Sequence, residues 1–250
     1  MNIGSTRIQE IESLRESMDR ALWIWAGFHY RDEEAVDMFH RRTGCEILAV
    51  DTSLSVETLL NYIKKHNKTL QLFRRGLLEV FTRISGWEKW DLSVNAYIGD
   101  VGNDVFIDVM EEVMMRFKRK DRTAIVIEIV ETPYGSIDGR FIDNIIWLRK
   151  QWFRIAVDDF DLFGDEHDNV SVEILEAVWQ YCSKIKLDWR VTKKLIEQKF
   201  VRRQLLDLRS NHFGKKIVAE WIRTRADVLA LIGIVDSFQI SSHIPTSSVK

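Results

Sequence analysis

Three carboxylates stand where apolar residues would be expected in the stretch TAIVIEIVETPYGSIDGRFIDNIIWLRKQWFRIAVDDFD (residues 123–161). Glu128 interrupts a run of β-branched residues, and Asp158 and Asp159 follow a second apolar run. A buried carboxylate costs several kcal/mol unless it is paired, protonated or bound to a cation. Because neither apolar run contains Lys or Arg, the three carboxylates together indicate a divalent metal site.

A purely structural role is open to each of these residues taken alone. Glu128 could point to a strand edge or pair with a distant Arg, and Asp158 and Asp159 could simply cap the next helix. Three carboxylates in neighbouring buried positions are harder to explain in this way, because each would need its own separate compensation.

The elements around the carboxylates can be predicted from the hydrophobic pattern. Both apolar runs are typical of parallel strands that are buried on both faces. Between them, apolar residues recur at helical spacing, at Ile137, Phe141, Ile145 and Leu148. A right-handed crossover through this helix makes the two strands parallel neighbours or near neighbours. We therefore expect Glu128 and Asp158 to lie side by side.

The rest of the chain repeats the alternation of strands and helices. About eight strand candidates are present, the pattern of a closed parallel barrel, and 250 residues suit such a barrel. Six strand candidates carry a polar residue of catalytic type: Glu46, Asn95, Glu128, Asp158 with Asp159, Lys186 and Glu220. Because the carboxyl ends of barrel strands converge, we expect these side chains to share one site.

The N-terminal part predicts an extension followed by a hairpin. Residues 5–20 have the pattern of an amphipathic helix, so we expect a helical extension over residues 1–21 before a barrel domain over residues 22–245. Residues 22–28 and 45–50 are strand candidates. The turn signals RDEE and RRTG between them predict a hairpin-like pair.

Further elements follow from the same pattern. Residues 55–82 predict two helices that are broken near HNKT, and residues 191–210 predict one long charged helix. The segment DLFGDEHDN (residues 161–169) is acidic and has no apolar period, so it predicts a loop.

Composition limits the compartment and the partners. The formal net charge is -2, from 36 basic and 38 acidic residues, which gives no reason to expect DNA or RNA binding. Cys45 and Cys182 each lie in an apolar run, which predicts buried, reduced thiols. No stretch approaches the roughly 20 apolar residues of a membrane span, and the N-terminus lacks a signal peptide pattern. We expect a soluble cytoplasmic protein.

The order of the polar motifs resembles the EAL family of bacterial cyclic di-GMP phosphodiesterases. The corresponding segments are EIL (46–48) for EAL, SVN (93–95), IEIVE (127–131) for the LExTE-like strand, DDFD (158–161) for DDFG, KLD (186–188) for KID, AE (219–220) for the start of AEGVE, and QI (239–240) for the late QG. Each motif is weak alone, but seven motifs in unbroken order over roughly residues 22–245 make the resemblance to this family specific.

This resemblance implies a TIM-like (β/α)8 barrel of EAL type and hydrolysis of cyclic di-GMP to its linear dinucleotide. It implies one Mg²⁺ or Mn²⁺, with a second ion beside it, and the metal ligands Glu46, Asn95, Glu128, Asp158 and Asp159. It assigns catalytic roles to Lys186, Glu220 and Glu46, substrate contacts to Asp188 and Gln239, and a loop anchor to Glu131. Oxygen ligands without His favour Mg²⁺ or Mn²⁺ over Zn²⁺. A homodimer through the barrel and a protein partner are further expectations.

The chain also departs from the family pattern. Residues 161–169 replace a Gly and a small hydroxylated loop that supports the second metal and the dimer contact. Val50 replaces an Arg that meets substrate phosphate, and Arg223 stands where EGVE ends in Glu. Three functions are open. The protein is a slow metal-dependent phosphodiesterase, or a degenerate EAL module that binds cyclic di-GMP or a protein partner without turnover. The third is an unrelated barrel enzyme that acts on a metal-bound phosphate substrate.

Overall fold

The structure is a computed structural model that describes residues 28–37, 39, 41–51, 61, 63, 65, 68–84, 90–130, 136–161, 170–211 and 214–240. The predicted N-terminal helix, the boundaries predicted for the two domains, Glu131 and most of the 161–169 loop lie outside these residues. The chain divides into two compact units, one of residues 1–31 and 48–68 and one of residues 32–47 and 69–250. The described candidate site residues all belong to the second unit.

Eight strands follow one another in chain order around a closed barrel. Their bounds are Phe28–Val36 (β1), Arg42–Asp51 (β2), Asp91–Tyr97 (β3), Ile125–Val130 (β4), Arg154–Phe160 (β5), Cys182–Leu187 (β6), Lys216–Ile222 (β7) and Ser237–Ile240 (β8). Each strand from β2 to β7 pairs in parallel with the strand that follows it. The predicted TIM-like barrel is confirmed.

The first strand runs opposite to the others, so the expectation of a wholly parallel barrel was wrong. β1 closes the barrel by antiparallel pairing with β8, with Ala35 opposite Gln239. A parallel connection needs a crossover of a dozen or more residues, and only residues 37–41 separate β1 from β2. The Asp37 amide donates to the Arg41 carbonyl at 2.9 Å in this short turn.

A hairpin is therefore present, but its first strand is Phe28–Val36 and its turn is not at RDEE. The strand predicted over residues 22–28 lies, apart from Phe28, outside the described residues. The RDEE segment lies inside β1, and RRTG overlaps the start of β2. Charged residues persist in the strand because they find partners: Asp32 accepts from Arg83 Nε at 3.2 Å, and Glu34 lies 2.8 Å from Arg42 Nη2. The composition of the RDEE segment alone does not predict these ion pairs with other elements.

The helices surround the strands in the expected alternation. Their bounds are Thr69–Ile84 (α1), Ile98–Val101 (α2), Phe106–Met114 (α3), Arg119–Arg122 (α4), Gly139–Lys150 (α5), Val170–Val178 (α6), Trp189–Glu197 (α7), Lys199–Asn211 (α8) and Arg225–Leu231 (α9). The start of α1 agrees with the break predicted near HNKT. The helix α5 connects β4 to β5, as the spacing of its apolar residues predicted.

The single long helix expected over residues 191–210 is two helices. Gln198 separates α7 from α8 with extended backbone angles, φ -126° and ψ 115°. Arg202 Nε and Nη2 donate to the carbonyls of Leu195 and Ile196 at 2.6 and 2.7 Å, which satisfies the end of α7. Neither Gly nor Pro marks this break, so the sequence pattern predicted a single helix.

The core lies between the strands and the surrounding helices. In β4 the side chains of Ile125, Val126, Ile127 and Ile129 are fully buried, in agreement with a strand covered on both faces. Cys45 and Cys182 are buried free thiols, as predicted. Within the part of the chain that the structure describes, no helix combines the length and apolar character needed to cross a bilayer.

Candidate metal centre

The strand register brings the first group of predicted site residues to one level. Asn95 in β3 lies directly opposite Glu128 in β4. Glu46 in β2 is opposite Ser93, which precedes Asn95 by two residues. Asp158 comes two residues after Ala156, the partner of Glu128. Residues two apart point to the same face of a strand, so these four side chains share one face of the sheet.

The second group follows from the next three strands in the same way. Lys186 in β6 pairs with Val218, which precedes Glu220 in β7 by two residues. Val218 in turn pairs with Ser237, two residues before Gln239 in β8. The side chains of Lys186, Glu220 and Gln239 are all buried. The expected convergence of strand ends on one site is thus what the structure shows.

Lys186 occupies the centre of this group. Its Nζ lies 2.8 Å from Glu46 Oε2, 2.8 Å from Glu128 Oε2, 2.8 Å from Asp158 Oδ1 and 2.9 Å from Glu220 Oε1. An ammonium group has three N–H donors, so it cannot hydrogen-bond four oxygens at once. Within the described residues Asp158 Oδ1 has no hydrogen-bond partner. Four carboxylates facing one cation leave the centre short of positive charge.

The pKa values of these groups reflect that shortage. Burial raises the pKa of Glu128 to about 7 and that of Asp158 to about 6, with Lys186 opposing and neighbouring carboxylates adding to the rise. Burial also holds the pKa of Glu220 well above its usual range. The four surrounding carboxylates raise the pKa of Lys186 despite its burial, so its ammonium stays charged.

Glu46 is the carboxylate that the site stabilises in its ionised form. Burial alone would raise its pKa, but Lys186 and two amide donors hold the pKa below its usual value. Asn95 Nδ2 donates to Glu46 Oε1 at 2.8 Å, and Gln239 Nε2 donates to Glu46 Oε2 at 2.9 Å. Gln239 also donates to Glu33 Oε2 at 3.1 Å.

Glu33 was not among the predicted site residues. It lies in the RDEE segment that was interpreted as a turn, two residues before Ala35. Ala35 pairs with Gln239 across the closure of the barrel, so Glu33 shares the face of the site. If residues 31–36 had been recognised as a strand, the alternation of side chains along it would have predicted that Glu33 faces the site.

The acidic side chains fall into two groups suited to a cation. One ligand atom each from Glu46, Glu128 and Asp158 lies within 4.8 Å of the others, and the same holds for Asp158, Asp159 and Glu220. Asp158 belongs to both groups, as a residue that bridges two ions would. The Asn95 Oδ1 atom is buried and has no partner within the described residues. Acceptor oxygens, an unpartnered amide oxygen and excess negative charge together fit a hard divalent cation such as Mg²⁺ or Mn²⁺.

Irregular backbone follows two of these carboxylates. The register of β5 shifts between Val157 and Phe160, and that of β7 shifts between Ala219 and Ile222. Within the shifted segments Asp159 has φ 46° and Trp221 has φ 59°. A bulge re-aims side chains at the end of a strand, and left-handed backbone in a non-glycine residue is strained. In β5 the irregularity accompanies the presentation of two consecutive carboxylates, Asp158 buried and Asp159 exposed.

Asp188 lies outside the contacts around Lys186. It caps the N-terminus of α7, where its Oδ1 accepts from the Arg190 amide at 2.7 Å and from Arg190 Nε at 2.9 Å. Its expected substrate contact stays a prediction. The loop anchor Glu131 and the side chain of Val50 lie outside the description, so their expected roles also stay predictions.

Comparison with known proteins identifies the type of fold. No family model and no curated protein matches this sequence. The EAL domain of FimX from Xanthomonas citri, in complex with cyclic di-GMP, has a TM-score of 0.75 at 14% identity and covers 96% of this chain and 96% of that chain. An EAL domain protein from Listeria monocytogenes has a TM-score of 0.73 at 16% identity, covering 98% and 94%.

A third solved structure is the EAL enzyme Bd1971 in a form bound to cAMP and cyclic di-GMP. Its TM-score is 0.72 at 18% identity, and the match covers 96% of this chain. This chain spans 66% of the length of Bd1971. The protein therefore has the EAL-type barrel fold, and the resemblance predicted from the order of its motifs is confirmed at the level of the fold.

Proposed function

We propose that this protein is a divergent EAL-family phosphodiesterase that hydrolyses cyclic di-GMP to its linear dinucleotide in a slow, metal-dependent reaction. One observation carries the proposal: four carboxylates from four strands converge on Lys186 beside an unpartnered buried amide oxygen. The similar solved structures add support, since the EAL domain of FimX and the enzyme Bd1971 are bound to cyclic di-GMP in them.

The first ion would be held by Glu46, Asn95, Glu128 and Asp158, which present acceptor oxygens on one face of the sheet. Asp159, next to the bridging Asp158, would hold a second ion. A divalent ion bound there lowers the pKa of an attacking water and stabilises charge on a phosphodiester. The excess of negative charge would favour the transfer of such an ion from water into this site.

The other residues of the centre have distinct tasks in this proposal. Lys186 carries a buried ammonium that can donate to the attacking water or to a phosphate oxygen. Glu220 fixes the position of that ammonium through a contact of 2.9 Å. Asn95 and Gln239 hold the carboxylate of Glu46 in one orientation by donating to its two oxygens. Water activation would use Lys186, Glu220 and Glu46 together.

Two sequence departures account for the slow rate in the proposal. Val50 cannot donate to a phosphate as Arg would, and charge-assisted contacts of that kind are among the stronger hydrogen bonds. Residues 161–169 lack the small hydroxylated side chains that would fix the second ion beside Asp159. A misplacement of about 1 Å costs on the order of a hundredfold in rate.

The decisive experiment is a chromatographic assay for the linear dinucleotide with Mn²⁺ or Mg²⁺. We expect slow product formation, faster with Mn²⁺, that is lost in Lys186→Ala and Glu46→Ala. Glu112→Gln is the matched control, because it neutralises a surface carboxylate paired with Arg74, and it should retain the rate. Circular dichroism would establish that each variant is folded.

The second candidate is a catalytically degenerate module that binds cyclic di-GMP, or a protein partner, without turnover. The replacement of the phosphate-binding Arg by Val50 favours it. Zero linear product from the wild-type protein after long incubation, with metal and dinucleotide binding intact, would select this function. Val50→Arg should tighten dinucleotide binding in either case. A homodimer through the barrel and a cytoplasmic location stay predictions.

A further inference from the structure

We infer that Lys186 is a built-in cation that competes with the divalent metal for the same carboxylates. The inference rests on the metal site of the proposed function and describes how that site is regulated. Without metal, the ammonium holds Glu46, Glu128 and Asp158 together. When an ion binds these three, the ammonium withdraws from them and retains Glu220.

The geometry makes the two cations mutually exclusive at one point. The ammonium nitrogen is 2.8 Å from one oxygen each of Glu46, Glu128 and Asp158. These three residues also form a group whose ligand atoms lie within 4.8 Å of one another. Magnesium requires oxygen ligands at about 2.0–2.1 Å, so it cannot approach the same oxygens while the nitrogen lies between them.

The burial of Lys186 leaves its ammonium no set of partners equivalent to the surrounding carboxylates. Lys186 is 2% exposed, so water cannot replace its carboxylate partners as they leave. Glu220 lies 2.9 Å from the ammonium and is not in the group of Glu46, Glu128 and Asp158, so it remains as a partner when the first ion takes those three. The unbranched lysine side chain has four methylene groups, which permits this withdrawal.

The consequence is a site that is compact without metal and binds metal only at concentrations that displace the ammonium. Two cations held in the same buried site repel each other more strongly than they would in water. Lys186 therefore lowers the affinity for the first ion. Removing its charge should tighten metal binding, the opposite of what a merely structural residue would do.

The experiment is isothermal titration of Mg²⁺ and Mn²⁺ into the wild-type protein, Lys186→Met and Lys184→Met. Lys184 is the matched control: it is also buried in β6, but it pairs with Asp91 at 3.3 Å. We expect at least about a tenfold lower Kd in Lys186→Met and an unchanged Kd in Lys184→Met. Equal or weaker binding by Lys186→Met would overturn the inference.

Thermal unfolding provides a second measurement on the same proteins. Lys186→Met should unfold at a lower temperature than the wild-type protein without metal, because four buried carboxylates lose their counter-ion. It should also gain more from saturating Mg²⁺ than the wild-type protein does. An equal gain in both proteins would contradict competition.

Nuclear magnetic resonance of ¹⁵N-labelled lysine tests the wild-type protein, so the outcome does not depend on the folding of a variant. The buried Lys186 ammonium should give a signal protected from solvent exchange without metal, and saturating Mg²⁺ should move or remove it. A signal unchanged at saturation would overturn the inference.

The outcomes separate this inference from the proposed function. Linear product from the wild-type protein with no gain in affinity in Lys186→Met would leave the phosphodiesterase standing and defeat the competition. Metal binding by Lys186→Met alone would support the competition and contradict a wild-type metal enzyme. Absence of metal binding in all three proteins would overturn both.

Discussion

Trp221 combines a bulky side chain with a backbone conformation that favours glycine. Its φ is 59°, in the left-handed region, and it follows Glu220 directly in the shifted part of β7. The crowding of Cβ against the carbonyl in this region costs roughly 1–2 kcal/mol for a residue with a side chain. The strain is located next to a carboxylate that contacts Lys186, where such strain is typical of functional sites.

A pair of substitutions measures this strain. Trp221→Ala and Trp221→Gly both remove the indole, but only glycine relieves the left-handed conformation. We expect the glycine variant to be more stable than the alanine variant by about 1 kcal/mol, the reverse of the usual order. Urea unfolding of the two variants measures the difference. An alanine variant of equal or greater stability would show that β7 relaxes at this position.

At the scale of elements, α1 packs closely against β3, the strand that carries Asn95. The approach is made at Gly76, where an added Cβ would lie 2.7 Å from Val94 Cγ2. Val94 is buried and precedes Asn95 directly. Because protein interiors are close-packed, either the Val94 side chain or the helix would have to move to accept even a methyl group there.

Gly76→Ala should therefore destabilise the protein by about 1–3 kcal/mol through overpacking, less the helix propensity that alanine gains. Urea unfolding measures the change in the free energy of unfolding. Gly139→Ala in the first turn of α5 is the control, since its Cβ would meet nothing within 4 Å. The double variant Gly76→Ala with Val94→Ala should recover part of the loss attributed to the clash. No recovery would place the cause elsewhere.

The short helix α2 contains a second buried acid, Asp100, that is separate from the metal centre. Its Oδ1 accepts from Thr69 Oγ1 at 2.5 Å, and its Oδ2 has no partner within the described residues. Burial raises the pKa of Asp100 to about 6 from 3.8, with the Thr69 hydrogen bond opposing the rise. The folded protein thus retains a proton here that the unfolded chain releases.

The sign of the pH dependence follows from this difference. Between pH 3.8 and about 6 the unfolded state binds fewer protons at this position, so rising pH reduces the free energy of unfolding, by up to about 3 kcal/mol. Asp100→Asn should remove this contribution, and Thr69→Val should extend it to higher pH. Urea unfolding from pH 4 to pH 7 tests both. An identical pH profile in Asp100→Asn would contradict the assignment to Asp100.

At the scale of the whole molecule, the barrel carries opposite charge balances at its two ends. Four carboxylates surround Lys186 toward the carboxyl ends of the strands. Toward the amino ends, one carboxylate faces two cations instead: Asp91 is paired with Arg154 at 2.6 Å and with Lys184 at 3.3 Å. A divalent cation is therefore expected to bind at one end only.

Metal should stabilise the folded protein in proportion to the logarithm of its concentration above Kd, about 1.4 kcal/mol per tenfold. The gain should be larger at pH 8 than at pH 6, because the pKa values of about 7 for Glu128 and about 6 for Asp158 oblige the ion to displace protons at the lower pH. Thermal unfolding in a series of Mg²⁺ and Mn²⁺ concentrations measures this.

Glu128→Gln should lose most of the metal-dependent gain, and a chelator should return the wild-type protein to its metal-free stability. Glu112→Gln, at an exposed carboxylate, should behave as the wild-type protein does. Full stabilisation by metal in Glu128→Gln would remove Glu128 from the ligand set.

The sequence by itself determined which strands carry the metal-centre residues Glu46, Asn95, Glu128, Asp158 and Lys186, and that these residues lie at the carboxyl ends of the strands. Polar residues inside or at the end of apolar runs marked Glu128 and Asp158, and the handedness of the crossover made their strands neighbours. The same alternation and the closed barrel brought Glu46, Asn95 and Lys186 to one end. These features follow from local periodicity and from chirality, which a single sequence carries.

Only the tertiary structure decided which hydrogen-bond and ion-pair partners the side chains at this end of the barrel have. Lys186 contacts four carboxylates, Glu33 joins Gln239, and Asp188 is committed to Arg190. It also decided the reversed direction of β1 and the break between α7 and α8. The direction of β1 follows from its short connection to β2, the charged Asp32 in β1 is paired with the distant Arg83, and the end of α7 is satisfied by Arg202 in the next helix. The hydrophobic period of the chain encodes none of these features.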